Sequence, residues 1–201
     1  TLRYIYFHLY QNAFIKGSYL RDLELANKVN SRMGNREANG LGIVITDIKI
    51  GNNNNIAATI DNTIMKVPLP TPLAPGNKVS VKIGFNTYYD IGATRRRMKM
   101  YPAWGFMHYN GCQWFPKVAV YDRMHGWDTY QHLNREFYGD YGLYDVTLDF
   151  PSNYILEASG ELQNRKEVLP DTLREKLDLK NFANKKSNEL PSTIIPYVKG
   201  Q

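Results

Sequence analysis

Between Lys78 and Asn86 the chain alternates between two kinds of residue. Val79, Val81, Ile83 and Phe85 fall on one parity, and Lys78, Ser80, Lys82 and Asn86 on the other. Successive side chains of an extended strand point to opposite faces, so this period fits a strand with one buried and one wetted face. The same period returns at Tyr144, Val146, Leu148 and Phe150, interleaved with Asp145, Thr147 and Asp149. Pro151-Ser152-Asn153 then turns the chain into Tyr154 to Ala158, which reads as a second hairpin.

Earlier in the chain, Tyr4 to Leu9 reads as a strand that leaves its sheet at Gln11 to Phe14. Ile43 to Ile50, Ile56 to Ile60 and Thr63 to Leu69 read as a meander. Its turns fall at Gly51 to Asn54 and at Asp61-Asn62, the latter a two-residue hairpin link because Asn and Asp tolerate left-handed backbone. Ser18 is placed to cap a surface helix with Leu20, Leu23, Ala26 and Val29 spaced three apart. Thr172 and Glu175 have capping-box spacing ahead of Leu173 and Leu177, which predicts a short helix. Ser192 to Val198 reads as extended, held to a sheet edge by Pro196. From Tyr88 to Tyr141 the period is lost. Roughly 50 residues of free loop are not expected in a compact domain, so short strands are expected at Trp104 to Tyr109 and Val118 to Tyr121.

The 15 Tyr suit half-buried strands, where a ring packs inward and its hydroxyl reaches water. The expectation is a mainly β fold with one or two short helices, forming a single domain over residues 1–201. With 43% hydrophobic and 22% charged residues, no tract has the composition of a disordered tail.

The formal charge of +6 is scattered except at Arg95-Arg96-Arg97 and Lys185-Lys186, which argues against a nucleic-acid partner. The arginine triplet reads as a solvated loop with ion pairs. Cys112, the single cysteine, excludes an internal disulfide and reads as a small hydrophobe with no readable His or Asn partner. No run of about 18 apolar residues is present to span a membrane. The start at Thr1, with no initiator Met or signal pattern, reads as that of an excised or processed piece.

The stretch from Val67 to Phe85, with Pro68, Pro70, Pro72 and the Pro75-Gly76 turn leading into the alternating strand, resembles the N-terminal β domain of aminopeptidase-N-like zinc peptidases. The resemblance continues in Gln113 to Asp122, in Gly126-Trp127 and in Tyr144 to Leu162. It also includes Phe7 to Phe14, which is similar to the family's first strand and its exit. The order and spacing of these pieces look like the bacterial branch. The resemblance implies a saddle-like antiparallel β-sandwich that precedes a catalytic domain in the same polypeptide. It also implies zinc in that catalytic domain, peptide substrates and a secreted, periplasmic or cell-envelope location.

The family's zinc motif sets two His four apart on a helix with a Glu between them, so that both rings reach one metal. None of His8, His108, His125 and His132 lies four residues from another. No catalytic residue, metal ligand or cofactor is therefore expected in this chain. The family binds the substrate's α-amino group through a Gln or Glu near the domain junction. Gln113 is the nearest candidate, although it lies closer to the following proline, Pro116, than the family pattern does. The plain alternative is a strand glutamine that satisfies backbone groups.

Asp122 to His132 carries imidazole and carboxylate, but two His seven apart in a Gly-broken loop fix no metal geometry. Trp127, Tyr130 and His132 are expected to form a patch against the catalytic domain, with Trp127 and Tyr130 partly exposed. Glu136, Asp140 and Asp145 have no spacing that makes a glycosidase pair. A different class of function is a stand-alone β-sandwich that binds carbohydrate or extended peptide on a coplanar row of Trp104, Trp114 and Trp127.

Overall fold

The computed structural model describes residues 1–30, 40–91, 98–103, 105–133, 138–183, 185–186 and 188–189. The chain divides into two compact units, Thr1–Leu143 and Tyr144–Gln201. The fold is mainly β, built of antiparallel sheets with a few short helices.

In the first unit β1 (Leu2–His8) runs into a 3-10 turn (Tyr10–Phe14) and helix α1 (Tyr19–Ala26). Then come β2 (Ile43–Ile50), β3 (Thr59–Asp61), β4 (Ile64–Leu73) and β5 (Val81–Thr87). Shorter strands follow: β6 (Asp90–Ile91), β7 (Lys99–Ala103), β8 (Phe106–Asn110), β9 (Lys117–Val118), β10 (Tyr121–Asp122) and β11 (Gly126–Trp127). One sheet has the order β3-β4-β1-β9 and a second pairs β2 with β5. Three further strands associate as β6-β7-β8, the β6-β7 step being parallel, and β10 pairs with β11.

The meander expected over residues 43–69 is not formed. Of the three strands in this stretch β3 and β4 pair with each other, whereas β2 takes β5 and β4 takes β1 as its second neighbour. The shared core accounts for this. Ile5, Phe7 and Leu9 together with Met65, Val67 and Leu69 face Ile43, Ile48 and Ile50 of β2, with Val81, Ile83 and Phe85 of β5 closing the side. Two apolar faces from distant strands thus bury one another, each fully buried aliphatic side chain contributing roughly 1.5–3 kcal/mol. The hairpin turn also moves by one residue: Asp61 pairs with Ile64, which leaves Asn62 and Thr63 as the link, with Asn62 at φ 52°.

Two glycines mark where backbones must come close. In β2 the buried parity switches from Ile43 to Ile48 and Ile50, which takes an extra residue, and the β2–β5 register slips between Ile45 and Asp47. Gly84 lies opposite that bulge, and any Cβ there would run into the side chains of Thr46 and Asp47. Gly42 lies against Asn12, whose Oδ1 accepts a hydrogen bond from Ile43 N at 2.7 Å. The prolines of β4 lie beyond the end of β3, where one side of the strand needs no hydrogen bond from its partner.

Helix α1 is capped as expected, the Ser18 hydroxyl accepting from Arg21 N at 3.2 Å. Its buried face differs from the spacing-three stripe: Leu20 and Glu24 are buried, while Leu23 is 44% exposed. Residues four apart lie over one another on a helix, and Glu24 is held by Arg21 at 3.7 Å. The alternating strand over 79–85 forms as β5, beginning at Val81. The strand expected at Trp104 to Tyr109 is found as β8, and Val118 to Tyr121 divides between β9 and β10.

In the second unit α2 (Arg165–Val168) and α3 (Asp171–Lys176) precede a 3-10 turn (Leu179–Asn181). The predicted capping box is not made. The residue before α3 is Pro170, with no side-chain cap, and Asp171 instead pairs with Arg174. The predicted hairpin over 144–158 is absent as a ladder. Its turn is present, with Tyr154 N donating to Pro151 O at 3.1 Å, but Tyr144, Val146, Leu148 and Phe150 are all exposed. A lone hairpin is marginal in water, and among the described residues of this unit no third strand or helix covers the alternating face. Ser192 to Val198, Arg95 to Arg97 and Trp104 lie outside the described residues.

Candidate functional site

The exit of β1 gathers most of the buried polar side chains among the described residues. Gln11 and Asn12 lie in the 3-10 turn, and their amides replace ladder hydrogen bonds that the sheet no longer supplies. Asn12 Nδ2 donates to Asn62 O at 3.0 Å while its Oδ1 holds Ile43 N, so one side chain ties the β3–β4 turn to β2. Gln11 Nε2 donates to the carbonyls of Cys112 and Gln113 at 3.1 and 3.3 Å. Thr63 N and Thr63 Oγ1 both donate to Gln131 Oε1, at 3.0 and 2.7 Å, and His132 N donates to Thr63 Oγ1 at 3.0 Å. The segment after β11 is thereby strapped to the β3–β4 hairpin.

Gln113 is half-buried, has φ 55° and sits outside any strand; its carbonyl is the atom Gln11 uses. His132 packs edge-on to Tyr10 and Phe14, with ring centroids 5.6 and 5.9 Å away. Gln113 and His132 therefore both lie against the same 3-10 turn. Trp127 packs on Tyr6 and Tyr121, at 5.8 and 5.1 Å, and lies against the core. Tyr130 is 69% exposed, its N–H donating to Asp128 Oδ1 at 3.3 Å. Cys112 is a half-buried free thiol.

Asp122 terminates β10. Its Oδ1 accepts from Met124 N at 2.8 Å and His125 N at 2.7 Å, and its Oδ2 accepts from the Tyr138 hydroxyl at 2.8 Å. The His125 amide, followed by the Tyr138 hydroxyl, stabilises the carboxylate and lowers its pKa to about 2. The same contact raises the Tyr138 phenol. His125 Nδ1 stands 3.4 Å from Asp122 Oδ2. These bonds close the β10–β11 turn.

In the sequence His8 has no histidine four residues away, and Asp128 lies in a polar loop. The fold buries both and sets His8 Nε2 3.6 Å from Asp128 Oδ2. A hydrophilic residue at the buried end of a Tyr-rich strand was the one signal available. Among the described residues, no group of three or more His, Cys, Asp or Glu side chains stands close enough to hold a metal ion. Glu136 lies outside the described residues. No helix among the described residues is long and apolar enough to cross a membrane. Comparison with protein-family models, curated proteins and solved structures finds no match for this chain.

Proposed function

We propose that the chain is a non-catalytic N-terminal accessory domain of an aminopeptidase-like zinc metalloprotease, bracing the catalytic domain and walling the substrate cavity. One observation carries the reading. Two pieces of the family resemblance, distant in sequence, pair directly in one sheet, Phe7 of β1 with Val118 of β9, and the piece that begins at Val67 lies in β4, which pairs with the same β1. Motifs that share a sheet act as parts of one structural unit, so their joint occurrence is more specific than any of them alone. Zinc belongs to the catalytic domain of the parent polypeptide, along with peptide hydrolysis. A secreted, periplasmic or cell-envelope setting and a bacterial origin go with the same reading, as does a saddle form of the sandwich.

In this role Gln113 meets the substrate's α-amino group, and Trp127, Tyr130 and His132 lie toward the catalytic domain. Gln113 is half-buried, with φ 55°, and lies outside the described strands beside the 3-10 turn against which His132 also packs, which is compatible with this role. The alternative, a stand-alone module for carbohydrate or extended peptide, calls for a coplanar aromatic row. Trp114 and Trp127 instead sit in ring clusters, at 69° to Phe115 and 69° to Tyr6.

The deciding experiment measures zinc content and aminoacyl-anilide hydrolysis for this chain and for the parent polypeptide. The expected result is neither property in the chain alone and both in the parent, with Gln113→Ala raising KM for unblocked peptides in the parent. Zinc-dependent hydrolysis by the isolated chain would overturn the assignment.

A further inference from the structure

β9 is attached to its sheet by a narrow seam. It is two residues long and meets β1 through the pairs Phe7 with Val118 and His8 with Lys117. The next amide, Ala119 N, donates to Tyr6 O at 2.9 Å, and Asp128 N donates to Val120 O at 2.8 Å. His8 lies at this seam, 4% exposed, its ring stacked on Tyr10 with centroids 5.2 Å apart and planes 1° from parallel. Among the described residues neither ring nitrogen has a hydrogen-bond partner. Asp128 Oδ2, at 3.6 Å, is beyond hydrogen-bond reach of Nε2.

Among the described residues two charged groups act on the ring: Asp128 from the segment after β11, and Lys117 from β9. From β4 the residue opposite is Ile64, which carries no charge. The 3-10 turn contributes the Tyr10 phenol, with His132 edge-on to it. An imidazolium here would gain attraction from one carboxylate, suffer repulsion from one ammonium and lose its hydration. A buried histidine with both nitrogens unpaired is accommodated far better as the neutral ring.

We propose that His8 is an acid-sensitive latch on the β9 edge: neutral and packed at neutral pH, and opening the seam at Lys117 to Ala119 when it takes up a proton. Opening lets water reach the imidazolium at the cost of two residue pairs and the Ala119 hydrogen bond, against six residue pairs in the β1–β4 ladder. Burial is the largest influence on His8 and lowers its pKa from 6.5, with Asp128 opposing and Lys117 reinforcing the effect. The folded protein therefore binds this proton less readily than the unfolded chain. The contribution of His8 to stability is complete above pH 6.5 and declines as pH falls below that value toward the lower folded pKa.

The test is amide hydrogen exchange on the full chain, corrected for the intrinsic pH dependence, together with NMR titration of the His8 ring. Between pH 7.5 and 5.5 protection at Ala119 is expected to fall by up to about tenfold, while amides of the β2–β5 ladder lose less. His8→Gln should abolish the change at Ala119. A His8 midpoint at or above 6.5, an equal loss of protection across β2–β5, or an unchanged pH dependence in His8→Gln overturns the proposal. Should His8→Gln fail to fold, the ring midpoint in the native chain and in Asp128→Asn decides: removal of the carboxylate must lower it further, and an unchanged or raised midpoint counts against the latch.

Discussion

The strands β4 and β5 and the segment from Tyr144 to Phe150 carry the same alternating pattern, yet they end in opposite environments. Met65 and Val67 are fully buried between β1, β2 and β5, whereas Val146 and Leu148 stay exposed, Leu148 at 42%. The turn that should close the second hairpin is made at Pro151 to Tyr154, so the local chemistry of the turn is sound. What differs is the company: β4 has β1 on one side and β3 on the other, with a second sheet over its apolar face. Alternation states which face a strand will bury when a partner arrives, and it says nothing of whether one does.

The largest test of that contrast is a matched pair of truncations. Met65→Ala should lower the unfolding free energy by about 2–5 kcal/mol, because it leaves a cavity in a closed core. Leu148→Ala should fall within about 0.5 kcal/mol of the parent chain, as expected of a surface side chain. Urea melts of the two variants decide the matter, and equal losses would mean that the second segment is buried after all.

A smaller effect is expected where polar groups, and not apolar ones, join the layers of the first unit. Asn12→Ala removes the acceptor for Ile43 N and the donor to Asn62 O, leaving buried backbone groups unpaired, and should cost about 1–3 kcal/mol by the same melts. A loss as small as that of Leu148→Ala would show that water replaces the side chain and that the junction is open to solvent.

The least disruptive test concerns the surface of the first unit, where hydrogen bonds act without burial. Asp122 should titrate with a midpoint of about 2 by carboxyl NMR, and Tyr138→Phe should move that midpoint up by removing the hydroxyl donor. Because the folded pKa is depressed, whatever stability this carboxylate lends is present above its ordinary value of 3.8 and is lost as pH falls through about 2. A midpoint that does not respond to Tyr138→Phe would assign the depression to the His125 and Met124 amides alone.

Much of the first unit was legible residue by residue. Ser18 announces its cap, Val81, Ile83 and Phe85 announce their common face, and Tyr4 to Leu9 announces a strand. Pairing was not legible, because β2 meets β5 across an intervening stretch that includes β3 and β4, and only the shared core selects that partner. The candidate site was legible in its materials and not in its arrangement. Gln113 and His132 are candidates on sequence, but the 3-10 turn that brings both to one place draws on Gln11, Tyr10 and Phe14, which carry no such signal. Nothing in the sequence joins His8 to Asp128, because burial, the property that makes the pair matter, is absent from a linear string.

By itself the sequence determined the class of structure and the faces its strands offer, since side-chain period and turn residues are local properties of the backbone. It also determined that no pair of histidines lies four residues apart, which is a matter of spacing alone. Only the tertiary structure decided which strands pair, where a bulge needs Gly84, why β9 hangs on a two-residue seam, and that the His8 ring is buried there with no hydrogen-bond partner among the described residues. Those outcomes depend on what arrives from elsewhere in the chain to exclude water, and exclusion of water is a property of the assembled fold.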